Sequence, residues 1–173
     1  MGYSAKAVAN AFLDIADANE KKLSPLKLQK LVYIAHGWHL AIHDEPLVQD
    51  EFAEAWQYGP VFPSVYHEFK EFGKSAVTGK ASDFRLESDY DFELYEPSVP
   101  VDDEDAQDLL KKVWEIYGKY SGLALSDVTH QPDTPWHVIW NKSGGRRNAD
   151  IPNEIIREHY QELAKARSGK AAE

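Results

Sequence analysis

Apolar residues recur at helical spacing along most of this chain and at a period of two in one short stretch. Val8, Phe12 and Ile15 share a side, with Asp14 and Asp17 opposite, which predicts a first helix from Ser4 as N-cap to about Ala18. Ser24-Pro25 pairs a capping hydroxyl with a proline in the first turn, where the missing N–H costs no hydrogen bond. It opens a second helix that runs to about His43. The broad apolar face of Leu28, Leu31, Val32, Ala35, Trp38 and Ile42 marks that helix as central. Pro46 to Tyr58 reads as extended, and Tyr58-Gly59-Pro60 breaks it. A third helix, roughly Pro63 to Phe72, carries Val65, Tyr66 and Phe69 and ends at Gly73.

Between Asp83 and Tyr95 the period changes. Phe84, Leu86, Tyr90, Phe92 and Leu94 take the even positions; Asp83, Arg85, Glu87, Asp89, Asp91 and Glu93 take the odd ones. This predicts a half-buried strand, or a hairpin turning near Ser88, with one face in the core and one in water. A fourth helix starts at Asp102 or Asp103, whose carboxylates suit the positive helix end, and stops at Gly118. Shorter helices follow over Leu123 to His130 and from Thr134-Pro135 to before Gly144-Gly145. A last one, Pro152 to Lys165, buries Ile155, Ile156, Tyr160 and Leu163. The sum is an α+β chain, mainly helical, with a small antiparallel sheet or hairpin. Residues 1–167 form one domain and 168–173 a frayed tail.

Charge sharpens this picture. The 173 residues hold 19 Lys plus Arg against 29 Asp plus Glu, a formal charge of −10. Asp83 to Asp108 contains 11 of the acids and one base, Arg85, which leaves 18 of each sign elsewhere. The excess is therefore local. It would repel phosphate backbones, so no nucleic-acid partner is expected, and it would steer a basic partner inward. With no Cys there are no disulfides, no thiolate catalysis and no Cys-ligated zinc. No apolar run reaches the roughly 20 residues of a membrane span, and the amphipathic start lacks a secretory pattern. A soluble cytoplasmic protein without membrane partners is expected.

Candidate chemistry is sparse. His36, His39 and His43 lie at i, i+3 and i+7, and two such imidazoles with a carboxylate can hold a metal. The H-E-x-x-H spelling and paired Glu-x-x-His units are absent, so the adopted reading is polar contacts beside the core. His130 with Asp133 resembles a base and its orienter, and Ser126 and Thr129 carry hydroxyls, but no nucleophile elbow accompanies them. Thr134, Pro135 and Trp136 read as cap, first turn and core anchor. Gly144-Gly145-Arg146-Arg147 could hold an anion through its guanidiniums, yet reads more simply as a helix stop. Glu87, Asp89 and Asp91 lack the glycine and closing glutamate of a calcium loop. No catalytic residue, metal ligand or cofactor is assigned.

Three stretches together carry a resemblance. They are Leu28 to Ala41, reading LQKLVYIAHGWHLA; Ala55 to Val61, reading AWQYGPV, followed by Pro63 and Tyr66; and Leu125-Ser126-Asp127-Val128-Thr129-His130 with Thr134-Pro135-Trp136. In this order and spacing the chain resembles the Panacea domain family of SocA-like antitoxins and phage-associated proteins. The resemblance implies a non-enzymatic protein that neutralises a co-encoded toxin by binding it. It also implies an alternative in which a cellular protease is a partner and the chain is its adaptor, or a phage effector on the same scaffold. A His-dependent hydrolase or metalloenzyme is the competing class. Some relatives carry an added DNA-binding or other domain, and none is expected within these 173 residues. The expected toxin-contacting surface comprises Asp83, Glu87, Asp89, Asp91, Tyr95, Asp102 and Asp103, with Trp56 and Tyr58 near its edge. Charge would speed association there, and buried aromatics would supply affinity.

Overall fold

The computed structural model describes residues 2–171. Helix α1 (Ala5–Ala18) is capped by Ser4, whose hydroxyl accepts from the Ala7 N–H, and α2 (Pro25–His43) is capped in the same way by Ser24. Leu28 to Leu40 of α2 is buried without interruption. The helix packs against α1 and against three later helices: α4 (Glu104–Tyr117), α5 (Gly122–Thr129) and α7 (Asn153–Ala171). A face buried all round is what a central helix must present. Gly37 lets α7 approach, because a Cβ there would stand 2.2 Å from the Tyr160 ring. The remaining helices are α3 (Pro63–Phe69), continued by a 3₁₀ turn over Lys70–Phe72, and α6 (Pro135–Lys142), which Thr134 caps. Helix α7 extends through Ala171, past Ser168 where the sequence suggested a tail. Residues 172 and 173 lie outside the described residues.

Two antiparallel sheets complete the fold. Strands β1 (Ala53–Trp56), β2 (Gly59–Val61) and β5 (Ala149–Ile151) form one sheet in the order β2-β1-β5. The break expected at Tyr58-Gly59-Pro60 is instead a tight hairpin, since Trp56 pairs with Gly59 and Ala55 with Pro60. Pro60 is tolerated because β2 is an edge strand and its missing donor interrupts no ladder. Strand β5, three residues long, left no periodic signal.

The second sheet is the ribbon β3 (Asp83–Ser88) and β4 (Asp91–Tyr95), with a bulge between Leu86 and Ser88. Its existence and its turn follow the alternation, but its burial does not. Phe84, Leu86, Phe92 and Leu94 are 60% to 71% exposed, so the even face lies in water and not in the core. The acidic excess is also divided. Five of its acids lie on the ribbon and its turn, Glu96 follows β4, and the other five, from Asp102 to Asp108, precede α4 or fall in its first turns. Alternation records that two faces differ; it cannot record whether the same chain supplies a cover.

Candidate interaction surface

The ribbon projects from the body and is tied to it at its base. Asn10 on α1, 1% exposed, donates from Nδ2 to the Ala81 carbonyl (2.9 Å) and the Pro97 carbonyl (2.8 Å). Its Oδ1 accepts from the Ala81 N–H (2.7 Å). One side chain thus clamps the chain entering β3 and the chain leaving β4. Lys6 adds a hydrogen bond to the Ser82 carbonyl and ion pairs with Glu68 and Asp83, and Lys80 pairs with Asp14 and Glu96. Beyond this base the strands rest on each other. Two-stranded ribbons are marginal in water, so the projecting part gains most from a partner that covers it.

Each face of the ribbon has its own chemistry. Phe84 stands opposite Leu94 and Leu86 opposite Phe92, a contiguous apolar patch of four side chains. On the other face Arg85 is opposite Glu93 and holds its carboxylate at 2.5 Å and 2.7 Å. Arg85 also reaches Glu87 at 3.3 Å and covers the Tyr95 ring at 5.2 Å. That bond to Arg85 holds the Glu93 carboxyl below the usual carboxylate range.

The residues expected to touch a partner are distributed unevenly. Asp83, Glu87, Asp89, Asp91 and Tyr95 do stand together on the ribbon, and Asp102 is exposed nearby in sequence. Asp103 is committed elsewhere: it caps α4 through the Ala106 N–H and accepts a hydrogen bond from the Tyr3 hydroxyl, which lowers its pKa. Trp56 ends β1 of the other sheet and Tyr58 lies in the β1–β2 turn; Trp56 is 8% exposed and Tyr58 is 72% exposed. The four apolar ribbon residues are the candidates the sequence reading assigned to the core. Their alternation announced the hairpin but not which of its faces would be covered.

Two of the three histidines on α2, His36 and His39, are held by hydrogen bonds beside the core, while His43 at the end of the helix is exposed. The Val48 N–H donates to His36 Nδ1 (3.1 Å), so Nε2 carries the proton and donates to Asn153 Oδ1 (2.9 Å). Both ring nitrogens are engaged, and neither is left for a metal. His39 donates from Nδ1 to the Glu45 carbonyl (2.7 Å). Among the described residues no group of three or more His, Asp or Glu side chains could hold a metal ion. Burial pushes His36 down to about 4, whereas the unfolded chain binds that proton near 6.5. Between those values the unfolded state takes up a proton that the folded state refuses. Stability is therefore full above pH 6.5 and falls by up to about 3 kcal/mol as pH drops to 4. Urea titrations at pH 7 and pH 4.5 will read this loss, and the difference will shrink in His36→Gln.

The three motif stretches converge on the β1–β2 turn, whose backbone is held from three helices. Gln29 of α2 exchanges hydrogen bonds with both the N–H (2.9 Å) and the carbonyl (3.1 Å) of Phe62, and Lys30 donates to the Pro60 carbonyl (2.7 Å). Ser126 of α5 donates to the Tyr58 carbonyl (2.8 Å), and the Trp136 indole of α6 to the Trp56 carbonyl (2.6 Å). Ser126 and Trp136 thus act as structural donors. Gly59 is required by its φ of +112°, which residues with a side chain rarely adopt, and a Cβ there would also stand 2.9 Å from Lys30 Nζ.

No helix among the described residues is long and apolar enough to cross a membrane. No solved structure matches the chain. Among curated proteins it is 38% identical over 159 residues to the protein named Antitoxin SocA of Caulobacter vibrioides (strain NA1000 / CB15N), covering 91% of this chain and 82% of the relative. Residues 28–137 match the family described as Antitoxin SocA-like, Panacea domain, and they span all three motifs that lock the β1–β2 turn. By that match and that relative together, the chain belongs to the SocA-like Panacea domain family.

Proposed function

We propose that this protein is an antitoxin that neutralises a cognate toxin by direct protein–protein contact, without catalysis of its own. The carrying observation is the β3–β4 ribbon of a SocA-like chain, whose uncovered apolar face is framed by carboxylates. Apolar and aromatic side chains without a cover are the material of a binding hot spot. The surrounding charge says which kind of partner suits them. A second copy of this chain would bring the acids of its own ribbon against Glu87, Asp89, Asp91 and Glu93. A toxin with a basic surface would instead meet opposite charge. Asp83, Glu87, Asp89, Asp91 and Tyr95 form the rim of that contact, and Asp102 extends it towards α4.

Rim charges act mainly on the rate of encounter. Asp89→Lys with Asp91→Lys reverses two exposed carboxylates, so association with the toxin will slow by about tenfold at low salt, and the salt dependence will disappear. Stopped-flow mixing with the toxin at several ionic strengths measures this, and undiminished growth rescue with unchanged association would remove the patch from the contact. The reading as a whole is tested by co-expressing the neighbouring reading frame with this one. Lethality alone, growth together, and inhibition of the purified toxin with no protease present are expected. Inhibition only when a protease is added would make the chain an adaptor.

A further inference from the structure

Two of the residues that lock the β1–β2 turn, Gln29 and Lys30, also wall a cavity of about 470 Å³ to which the ribbon contributes no residue. Its lining includes three cations, Lys30, Lys70 and Arg147, three aromatic rings, Trp56, Tyr58 and Tyr66, and no carboxylate. In a chain of net charge −10 such a lining is unexpected. The carboxylate that touches the wall, Glu54, accepts from the Trp56 indole N–H (2.7 Å) and does not line the space. Among the described residues neither Lys70 nor Arg147 has an ion-pair partner. The Arg147 guanidinium lies 4.1 Å from the Trp56 ring centre, and Tyr66 meets the same ring edge-on at 4.7 Å. Lys30 is fully buried, and among the described residues the Pro60 carbonyl is its hydrogen-bond acceptor. An ammonium has three protons, and an anion alongside would favour keeping all of them.

We infer that this cavity binds a small anion carrying a planar aromatic base, of the nucleoside monophosphate class. The exposed Tyr58 and Tyr66 rings supply stacking surface, Lys70 and the Arg147 guanidinium seated on Trp56 supply the counter-charge, and the hydrogen-bonded turn keeps the walls preformed. The volume lies within the range of about 300–1,000 Å³ usual for small-ligand sites. The anion-holding role considered for Arg147 on sequence returns here, with a partner that the sequence did not place beside it, Trp56. The inference is independent of the toxin reading, because the ribbon contributes no residue to the lining.

The test uses the intact chain and calorimetric titration with the four nucleoside 5′-monophosphates, adenosine, inorganic phosphate and a 5′-phosphorylated hexanucleotide. At least one monophosphate should bind with a dissociation constant below about 1 mM, and the nucleoside and phosphate alone about tenfold more weakly or worse. Arg147→Ala and Lys70→Ala, both on exposed side chains, should each weaken binding about tenfold, with the melting temperature shifted by no more than a few degrees where Arg147 leaves the Trp56 ring. Asp89→Lys with Asp91→Lys should leave it unchanged. Absence of binding by all four monophosphates, or binding that survives the Arg147→Ala, Lys70→Ala double variant, would overturn the inference. So would a hexanucleotide that binds about tenfold more tightly than every monomer, since the site would then be one for strand ends.

Discussion

Leu86→Thr combined with Phe92→Thr will abolish toxin neutralisation while the melting temperature of the free chain stays within a few degrees. The two side chains face each other across the ribbon and are 60% and 71% exposed, so the free protein loses little packing when they are shortened. Threonine is chosen because its branched side chain keeps the strand preference that aspartate would lose. In the complex the same truncations remove two central apolar anchors, each with an expected cost of about 2 kcal/mol. Together they weaken binding by roughly a thousandfold. Calorimetric titration against the toxin and growth rescue on co-expression both read the effect. Full rescue would show that the ribbon's apolar face is not the contact. The contrast with the rim variant is diagnostic: loss of the anchors should raise the dissociation rate, whereas reversed rim charge should slow association.

Asn10→Ala is expected to have the largest effect on the protein itself. The substitution removes three buried hydrogen bonds and strands the Ala81 N–H and the Ala81 and Pro97 carbonyls without their partner. At about 1 kcal/mol per bond, and more where a group stays dry, the loss is about 3 kcal/mol or greater. Its signature is local as well as global. Both legs of the ribbon lose one tether, so amide exchange in 83–95 should accelerate more than exchange in α2 or α7. Equilibrium unfolding and hydrogen exchange together check this. A uniform acceleration across the chain would mean that Asn10 supports the core and not the ribbon in particular. Neutralisation should weaken even at temperatures where the variant remains folded, because a loosened ribbon must be ordered again on binding.

What could be read from the chain alone depended on whether the signal was local. Helix starts are written in two or three consecutive residues. Ser4, Ser24 and Thr134 cap the helices as their spelling indicates, because a hydroxyl needs only the N–H three positions on. The central place of α2 followed from a face too broad for a surface helix. The neutral, engaged state of His36 agrees with the preferred reading of that helix, although Val48 and Asn153, which hold it, lie 12 and 117 residues away. The three-residue strands β2 and β5 escaped because neither is long enough to display a period and one contains proline.

The order of the helices, most of their caps, the ribbon's alternation and the concentration of acid between 83 and 108 were therefore properties of the sequence by itself, since each arises from neighbours along the chain. Tertiary structure alone decided three things. It left Phe84, Leu86, Phe92 and Leu94 facing water, because among the described residues no other element covers them. It brought Asn10 to both ends of the ribbon across 71 and 87 residues. And it gathered Lys30, Trp56 and Arg147 around one cavity. Burial and convergence depend on which distant surfaces meet, and a pattern of period two or 3.6 holds no information about its cover.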